Sequence, residues 1–225
     1  HVTYAPPLGP LGRLGLPIIR PKLRKMFDYR HATLAADLAD HARFADEGPK
    51  TFVVTGASGL VGTQLCAFLS TGGHEVRRMV RRDPDPSAGR YLWNPLGGAF
   101  DQRALDGAHA VIHLAGENVF ALRWSDAKKK RILESRERGG ATVCDAIREH
   151  GGGKALVSAS AVGYYGNVPE GVVDETAPKG EGFLSDVCEA WEEPVRELAD
   201  EGVRTVSARI GVVMTPAGGA LGMMK

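Results

Sequence analysis

Cysteine is scarce in this sequence. The 225 residues hold three, Cys66, Cys144 and Cys188. They lie far apart, without metal-site spacing, so neither a disulfide framework nor a thiolate metal centre organises the chain. An odd, sparse set with no secretory leader fits a reducing, cytoplasmic setting. No apolar run approaches the roughly 20 residues of a membrane span. Formal net charge is +1, so no global field argues for nucleic acid or an acidic partner. What remains is ordinary globular material, 43% hydrophobic and 24% charged, enough for one complete domain and part of another. The chain opens on His1-Val2-Thr3-Tyr4 and stops at Met223-Met224-Lys225, after a strand and a Gly-rich turn, and reads as a fragment of a longer protein.

Residues 1–49 differ in texture from the rest. Pro6, Pro7, Gly9, Pro10, Gly12, Gly15 and Pro17 predict an extended, turn-rich entry. From about Pro21 the pattern turns helical, with Leu23, Met26, Phe27, Leu34 and Leu38 near one face. Six basic residues and one acidic residue fall between Arg13 and Arg30. Such a helix either touches an anionic ligand or membrane surface, or simply solvates its polar face. Gly48-Pro49 marks a boundary.

From Lys50 onward strands and helices alternate. Thr51–Thr55 is a short β-branched run suited to a strand buried on both faces. A helix over Val61–Ser70 is expected to bury Val61, Leu65, Phe68 and Leu69, and Gly72-Gly73 ends it. Further strands are expected at His74–Arg81, Tyr91–Trp93, Ala110–Leu114, Ala155–Ser160 and Arg204–Val213, the last with Val206, Ala208, Ile210 and Val212 alternating. Ser125 can cap a helix whose continuity the Gly139-Gly140 pair weakens. Leu184, Val187, Cys188, Trp191, Val195 and Leu198 form another helical stripe. This repetition predicts an α/β fold, a doubly wound parallel sheet with helices on both faces and right-handed crossovers.

The loop between the first strand and first helix is Gly56-Ala57-Ser58-Gly59-Leu60-Val61-Gly62. Gly56 permits the turn out of the strand, Gly59 lets backbone approach a pyrophosphate, and Gly62 permits close helix–sheet packing. The N–H groups at Leu60, Val61 and Gly62 would face the anion, and Ser58 can add a hydroxyl bond. In its strand–turn–helix context this is a Rossmann dinucleotide site; the alternative is a Gly-rich turn with no ligand. The second strand ends Val80-Arg81-Arg82-Asp83. No acidic residue stands where an NAD site usually has one, since Glu75 lies at the other end of the strand. Arg81 and Arg82 can pair with a 2′-phosphate, so NADP(H) is the expected cofactor. Asp83 keeps NAD(H) open, and the arginines could instead be a solvated strand end.

The spacing G-x-x-G-x-x-G begins a wider resemblance. From Thr51 to Leu221 the sequence resembles the atypical, epimerase-like branch of the extended short-chain dehydrogenases, the nucleoside-diphosphate-sugar epimerase family. The segments that carry it are Val54–Gly62, Val111–Asn118, Arg123-Trp124, Ser135-Arg136, Ser158–Gly166, Gly182–Leu184, Trp191-Glu192 and Arg209–Val213. Residues 1–45 resemble, much more weakly, the last strand and long helix of a helix-grip, START-like domain. Domains are therefore expected at 1–49, the tail of that upstream domain, and 50–225, a dinucleotide-binding domain cut before its substrate lobe.

The resemblance implies that Leu114, Ala115 and Gly116 run past the adenosine side of the cofactor. Ser160 matches a serine that bonds a substrate carbonyl or hydroxyl, and Ile210–Val213 would approach the nicotinamide. There is one departure. Relatives carry Tyr-x-x-x-Lys on the helix after the fifth strand, and aligning Glu192 puts Leu184 and Cys188 at those positions. Leucine cannot exchange a proton, and Cys188 reads better as a buried, inert thiol. Tyr164 and Tyr165, in the loop after Ser160, are candidates for the proton donor, or else packing residues. Glu117 and Asn118 end the fourth strand, and Glu117 either orients ribose or substrate or is a solvated carboxylate. Arg123 and Arg136 either contact an anionic substrate or are surface charges. His113 is expected to be a satisfied core histidine.

Two functions follow. One is an NADP(H)-dependent oxidoreductase or epimerase acting on a small carbonyl, hydroxyl or nucleotide-sugar compound. The other is a non-catalytic NADP(H)-binding sensor or scaffold, motivated by the missing Tyr and Lys. No metal is expected, and a homodimer is left open. A lipid- or polyketide-like ligand delivered by the upstream domain is a third possibility.

Overall fold

The computed structural model describes residues 16–119, 124–151, 154–215 and 218–219. The chain divides into two units, His1–Gly48 and Pro49–Lys225. The turns and strand expected before Leu16 lie outside the described residues. In the first unit, helix α1 spans Leu16–Ala42, beginning earlier than the pattern from Pro21 suggested. Pro17 falls in its first turn, where a missing N–H is tolerated. No residue of α1 is buried.

In the second unit the strands are β1 (Thr51–Thr55), β2 (Glu75–Val80), β3 (Arg90–Asn94), β4 (Ala99–Phe100), β5 (Ala110–His113), β6 (Ala155–Ala161), β7 (Thr205–Ile210) and a short β8 (Met214–Thr215). The first seven form one sheet in the order β4-β3-β2-β1-β5-β6-β7. All neighbouring pairs are parallel except β3 with β4. Helices α2 (Leu60–Thr71), α3 (Asp126–Glu149) and α4 (Phe183–Asp200) make the crossovers. Strand succession runs one way from β1 and then reverses to β5. Right-handed connections therefore place α2 on one face of the sheet and α3 and α4 on the other. This is the Rossmann arrangement.

The core lies where central strands meet the α3–α4 layer. Val53, Val111 and Leu156 stand in register across β1, β5 and β6, and Val143, Ile147, Val195 and Leu198 close over the same cluster. Continuous apolar strands are what a sheet covered on both faces requires.

Several sequence expectations need correction. The antiparallel β4 was not anticipated, because two residues are too few for an alternation signal; Asn94–Gly98 turns the chain, with Gly98 at φ 66°. Val61 is exposed and Leu65 and Phe68 are half-buried, while α2 buries Leu69 as expected, together with Gly62 and Cys66. Leu184 is also exposed, while the rest of its stripe is buried. Strand β7 stops at Ile210, and Val206 and Val212 are exposed. Helix α3 is unbroken through Gly139 and Gly140, which are both buried. An ideal Cβ at Gly140 would stand 3.1 Å from Pro194 Cγ, so that glycine serves α3–α4 packing.

Candidate active site

The reversal between β1 and β5 opens a crevice at the carboxyl ends of the strands, the usual ligand position in an open α/β sheet. Gly56 leaves β1 at φ 66°, and a Cβ there would lie 2.8 Å from Ala115 N and the Leu114 carbonyl carbon. The loops after β1 and β5 thus touch through a residue without a side chain. Gly59 N donates to Gly56 O at 2.9 Å, closing the turn. A Cβ on Gly62 would fall 2.2 Å from Gly56 O, so only glycine fits. Gly59 caps α2 with extended backbone and no side-chain cap bond. The N–H groups of Leu60, Val61 and Gly62 therefore open α2 without a capping side chain, and this cradle fits a dinucleotide diphosphate. Ser58 is exposed beside it. Arg81 and Arg82 are exposed just past β2 and make no hydrogen bond or ion pair among the described residues.

Thr55 fixes the opposite wall. Its hydroxyl accepts from Leu114 N at 3.2 Å and Ala115 N at 3.3 Å. Its own proton then goes to His113 Nδ1, 2.8 Å away. Proton conservation makes Nε2 the protonated ring nitrogen. His113 is buried, with Trp93 edge-on at 5.8 Å. Burial, then the Arg136 charge, lowers its pKa to about 4. It is a neutral core histidine and not a base.

Beyond β5, Glu117 N donates to Ser135 Oγ at 2.9 Å. The Glu117 carboxylate takes Lys128 Nζ at 2.6 Å, which holds it below the usual carboxylate range. Arg136 is 8% exposed, so it is not a surface charge. Arg123 lies outside the described residues. Trp124 Nε1 donates to Val119 O at 2.9 Å and its ring meets Phe183 at 5.7 Å, tying this loop to the start of α4.

The catalytic candidates share one network. Strand register places Ser160 beside Arg209. Ser160 Oγ donates to Glu192 Oε1 at 2.6 Å, and Arg209 Nε and Nη2 reach the two Glu192 oxygens at 2.9 and 2.8 Å. Arg209 Nη1 donates to Tyr165 Oη at 2.9 Å, and its guanidinium lies 3.5 Å from the Tyr164 ring centroid. Burial alone would raise the Glu192 carboxyl; the bonds from Arg209 and Ser160 outweigh it and hold the group ionised. Ser160 therefore spends its proton on Glu192 and offers only lone pairs. Tyr165 accepts from Arg209 and keeps its own proton to donate. Cys188 is buried, and burial pushes its thiol up. Leu184 offers no acid.

Sequence reasoning gave no role to Glu192 or Arg209. The usable signal was a glutamate on the apolar stripe, one turn after Cys188, because a buried carboxylate demands a buried cation. A groove between α3 and α4, lined by Glu137, Glu189, Glu193 and Glu197 among others, would repel a dinucleotide. Among the described residues no cluster of His, Cys, Asp and Glu could hold a metal, and no helix is long and apolar enough to cross a membrane.

Comparison with known proteins agrees with the geometry. An epimerase family protein of Mycobacterium tuberculosis is 44% identical over 176 residues, 76% of this chain and 56% of that protein. The epimerase family protein SDR39U1 of Homo sapiens is 34% identical over 176 residues, 76% of this chain and 57% of that protein. The chain spans about half the length of the curated relatives it matches. Among solved structures, a nucleoside-diphosphate sugar epimerase from Corynebacterium glutamicum superimposes with TM-score 0.77 at 37% identity, over 88% of this chain and 42% of that one. Human SDR39U1 (isoform 2) with NADPH gives TM-score 0.66 at 32% identity, over 77% and 58%. The model of the NAD dependent epimerase/dehydratase family matches residues 52–184, and the chain belongs to that family.

Proposed function

We propose that the chain is the cofactor-binding part of an NADP(H)-dependent oxidoreductase or epimerase acting on a small carbonyl, hydroxyl or nucleotide-sugar substrate. The observation that carries this reading is the glycine cradle, in which Gly56 and Gly62 let the loops after β1 and β5 and the start of α2 close on one another where a Cβ would collide with backbone. Bound there, the cofactor supplies the hydride chemistry; the chain's residues bind, orient and move the proton. Gly56, Ser58, Gly59, Leu60, Val61 and Gly62 receive the diphosphate, and Leu114, Ala115, Gly116 and Glu117 form the facing wall. Arg81 and Arg82 take the 2′-phosphate. Tyr165, presented by Arg209, is the proton donor, with Ser160 as acceptor and Tyr164 as platform. The relative crystallised with NADPH supports the choice of phosphate-bearing cofactor.

The non-catalytic reading is favoured by one observation: the positions of the usual Tyr and Lys hold an exposed Leu184 and a buried, protonated Cys188. The α1 segment is read as the helix of an upstream helix-grip domain; the Corynebacterium match, at 88% of this chain, takes in more than the unit from Pro49 onward. A cytoplasmic setting stays part of the proposal.

The test is fluorescence titration with NADPH and NADH. NADPH is expected to bind at least tenfold tighter, and R81A/R82A to erase the difference by weakening NADPH alone. Equal affinities in the unaltered chain would remove the cofactor assignment. Turnover over a carbonyl panel, lost in Tyr165→Phe but kept in Tyr164→Phe, separates enzyme from sensor.

A further inference from the structure

Arg136 is a buried cation with no anion. It projects from α3 toward the loop after β5. Its Nη1 donates to Glu117 O and Ile132 O, both at 3.1 Å. Neither Nε nor Nη2 has a hydrogen-bond partner, and no carboxylate pairs with Arg136 among the described residues. The carboxylate whose charge reaches it, Glu117, is held by Lys128 at 2.6 Å. Cys188 lies close enough to feel the charge, but burial keeps its thiol protonated. A charge taken out of water without a counter-ion is expensive, and burial indeed pushes this guanidinium below its usual range.

The surroundings leave one edge open. The Trp191 ring lies 4.7 Å from the guanidinium carbon. On Gly116, a Cβ would stand 3.2, 3.4 and 3.5 Å from Cζ, Nη2 and Nη1, which places it over the guanidinium face. Gly116 has no left-handed φ, so the glycine answers the closeness of Arg136 and not a backbone need. With Trp191 and Gly116 packed against the guanidinium and Nη1 occupied, the Nε–Nη2 edge remains. Neither nitrogen is among the sealed, unpartnered polar atoms of the described residues. Two parallel N–H donors on one edge match the two oxygens of a carboxylate or phosphate.

We propose that the Nε–Nη2 edge of Arg136 is an oxyanion subsite in the crevice, and that the substrate carries a carboxylate or phosphate which it binds bidentately. This rests on the reading of the crevice as a cofactor and substrate site, and narrows its substrate class. The diphosphate of the cofactor is accounted for at the start of α2, so the oxyanion belongs to the substrate.

Calorimetry tests this with glucose 1-phosphate, glucuronate and uncharged glucose, at constant ionic strength, with and without NADPH. At least one anion should bind the unaltered chain tenfold or more tighter than glucose. R136Q should lose that preference by about 10- to 100-fold, the worth of a charge-assisted pair, with NADPH affinity unchanged. R136K keeps the charge and should fold even if R136Q does not; without the fork it should lose about tenfold. No preference in the unaltered chain, or anion binding undiminished in R136K and R136Q, would overturn the proposal. NADPH binding lost in R136Q, with the sugars unaffected, would hand the edge to the cofactor and also overturn it. Failure of NADPH with every variant would instead sink the cofactor reading, while the anion arm without NADPH still reports on Arg136.

Discussion

At the residue scale, the site depends on side chains that are absent as much as on those present. Gly62 and Gly59 both face Gly56 O, but an added Cβ would lie 2.2 Å from it in the first case and 3.1 Å in the second. Neither contact partner is a flexible side chain, so only the longer distance can relax by a small shift. Gly62→Ala should therefore cost about 3 kcal/mol or more and abolish NADPH binding, whereas Gly59→Ala should cost under about 1.5 kcal/mol. Urea unfolding of both variants checks the ranking, and equal midpoints would contradict it. The Glu192–Arg209 pair is the polar counterpart. Glu192→Gln keeps the shape but leaves a mostly buried guanidinium without its counter-charge, a loss of about 3 kcal/mol. A variant as stable as the parent would show that Arg209 finds other partners.

At the scale of elements, α3 separates what the sequence shows from what only packing decides. Helix propensity argues against Gly139-Gly140 in mid-helix, each glycine costing about 1 kcal/mol relative to alanine. Yet the helix continues, because the pair faces β5 on one side and α4 on the other. An added Cβ at Gly139 would meet His113 Cε1 at 3.4 Å, an ordinary contact, whereas at Gly140 it would meet Pro194 Cγ at 3.1 Å. The proline ring is held in a helix and cannot swing aside. Neighbouring substitutions should then act oppositely: Gly139→Ala gains up to about 1 kcal/mol, and Gly140→Ala loses about 1 kcal/mol or more. Thermal midpoints of the two variants moving in the same direction would refute this account. The same contrast explains what was legible. Long apolar runs and the glycine spacing announce β1, β5, β6 and their helices, since burial on both faces writes itself into composition. Two-residue β4 leaves no such trace. The Ser160–Glu192–Arg209–Tyr165 network joins residues up to 49 positions apart, and no local pattern encodes a pairing that only strand register creates. Val61, Leu184 and Val206 sit on apolar-looking stripes yet are exposed, because periodicity gives a face and not what covers it.

At the scale of the whole molecule, an interior strand of the sheet carries a titratable group that ties folding to pH. His113 ends β5 between β1 and β6, neutral and buried, with a pKa of about 4 against an ordinary value of 6.5. Between those values the unfolded chain takes up a proton that the folded chain refuses. Stability therefore rises with pH across this window and falls as the solution is acidified below about 6.5. From pH 7.5 to 5.0 the expected loss is about 2 kcal/mol. The carboxylates do not confuse the measurement. Glu75, Asp101, Glu117 and Glu192 are all held low by their partners, so their contribution is complete above the ordinary carboxylate range and is lost only below about pH 4.5. Replacing His113 by Gln retains an acceptor for the Thr55 hydroxyl while removing the titration. Its unfolding midpoint in urea should change far less than the parent's between pH 7.5 and 5.0. A parent whose midpoint is the same at both pH values would mean that the folded chain accepts the proton at His113, and with it that the Thr55 hydroxyl does not hold the ring, or the Leu114–Ala115 wall of the crevice, in the arrangement described.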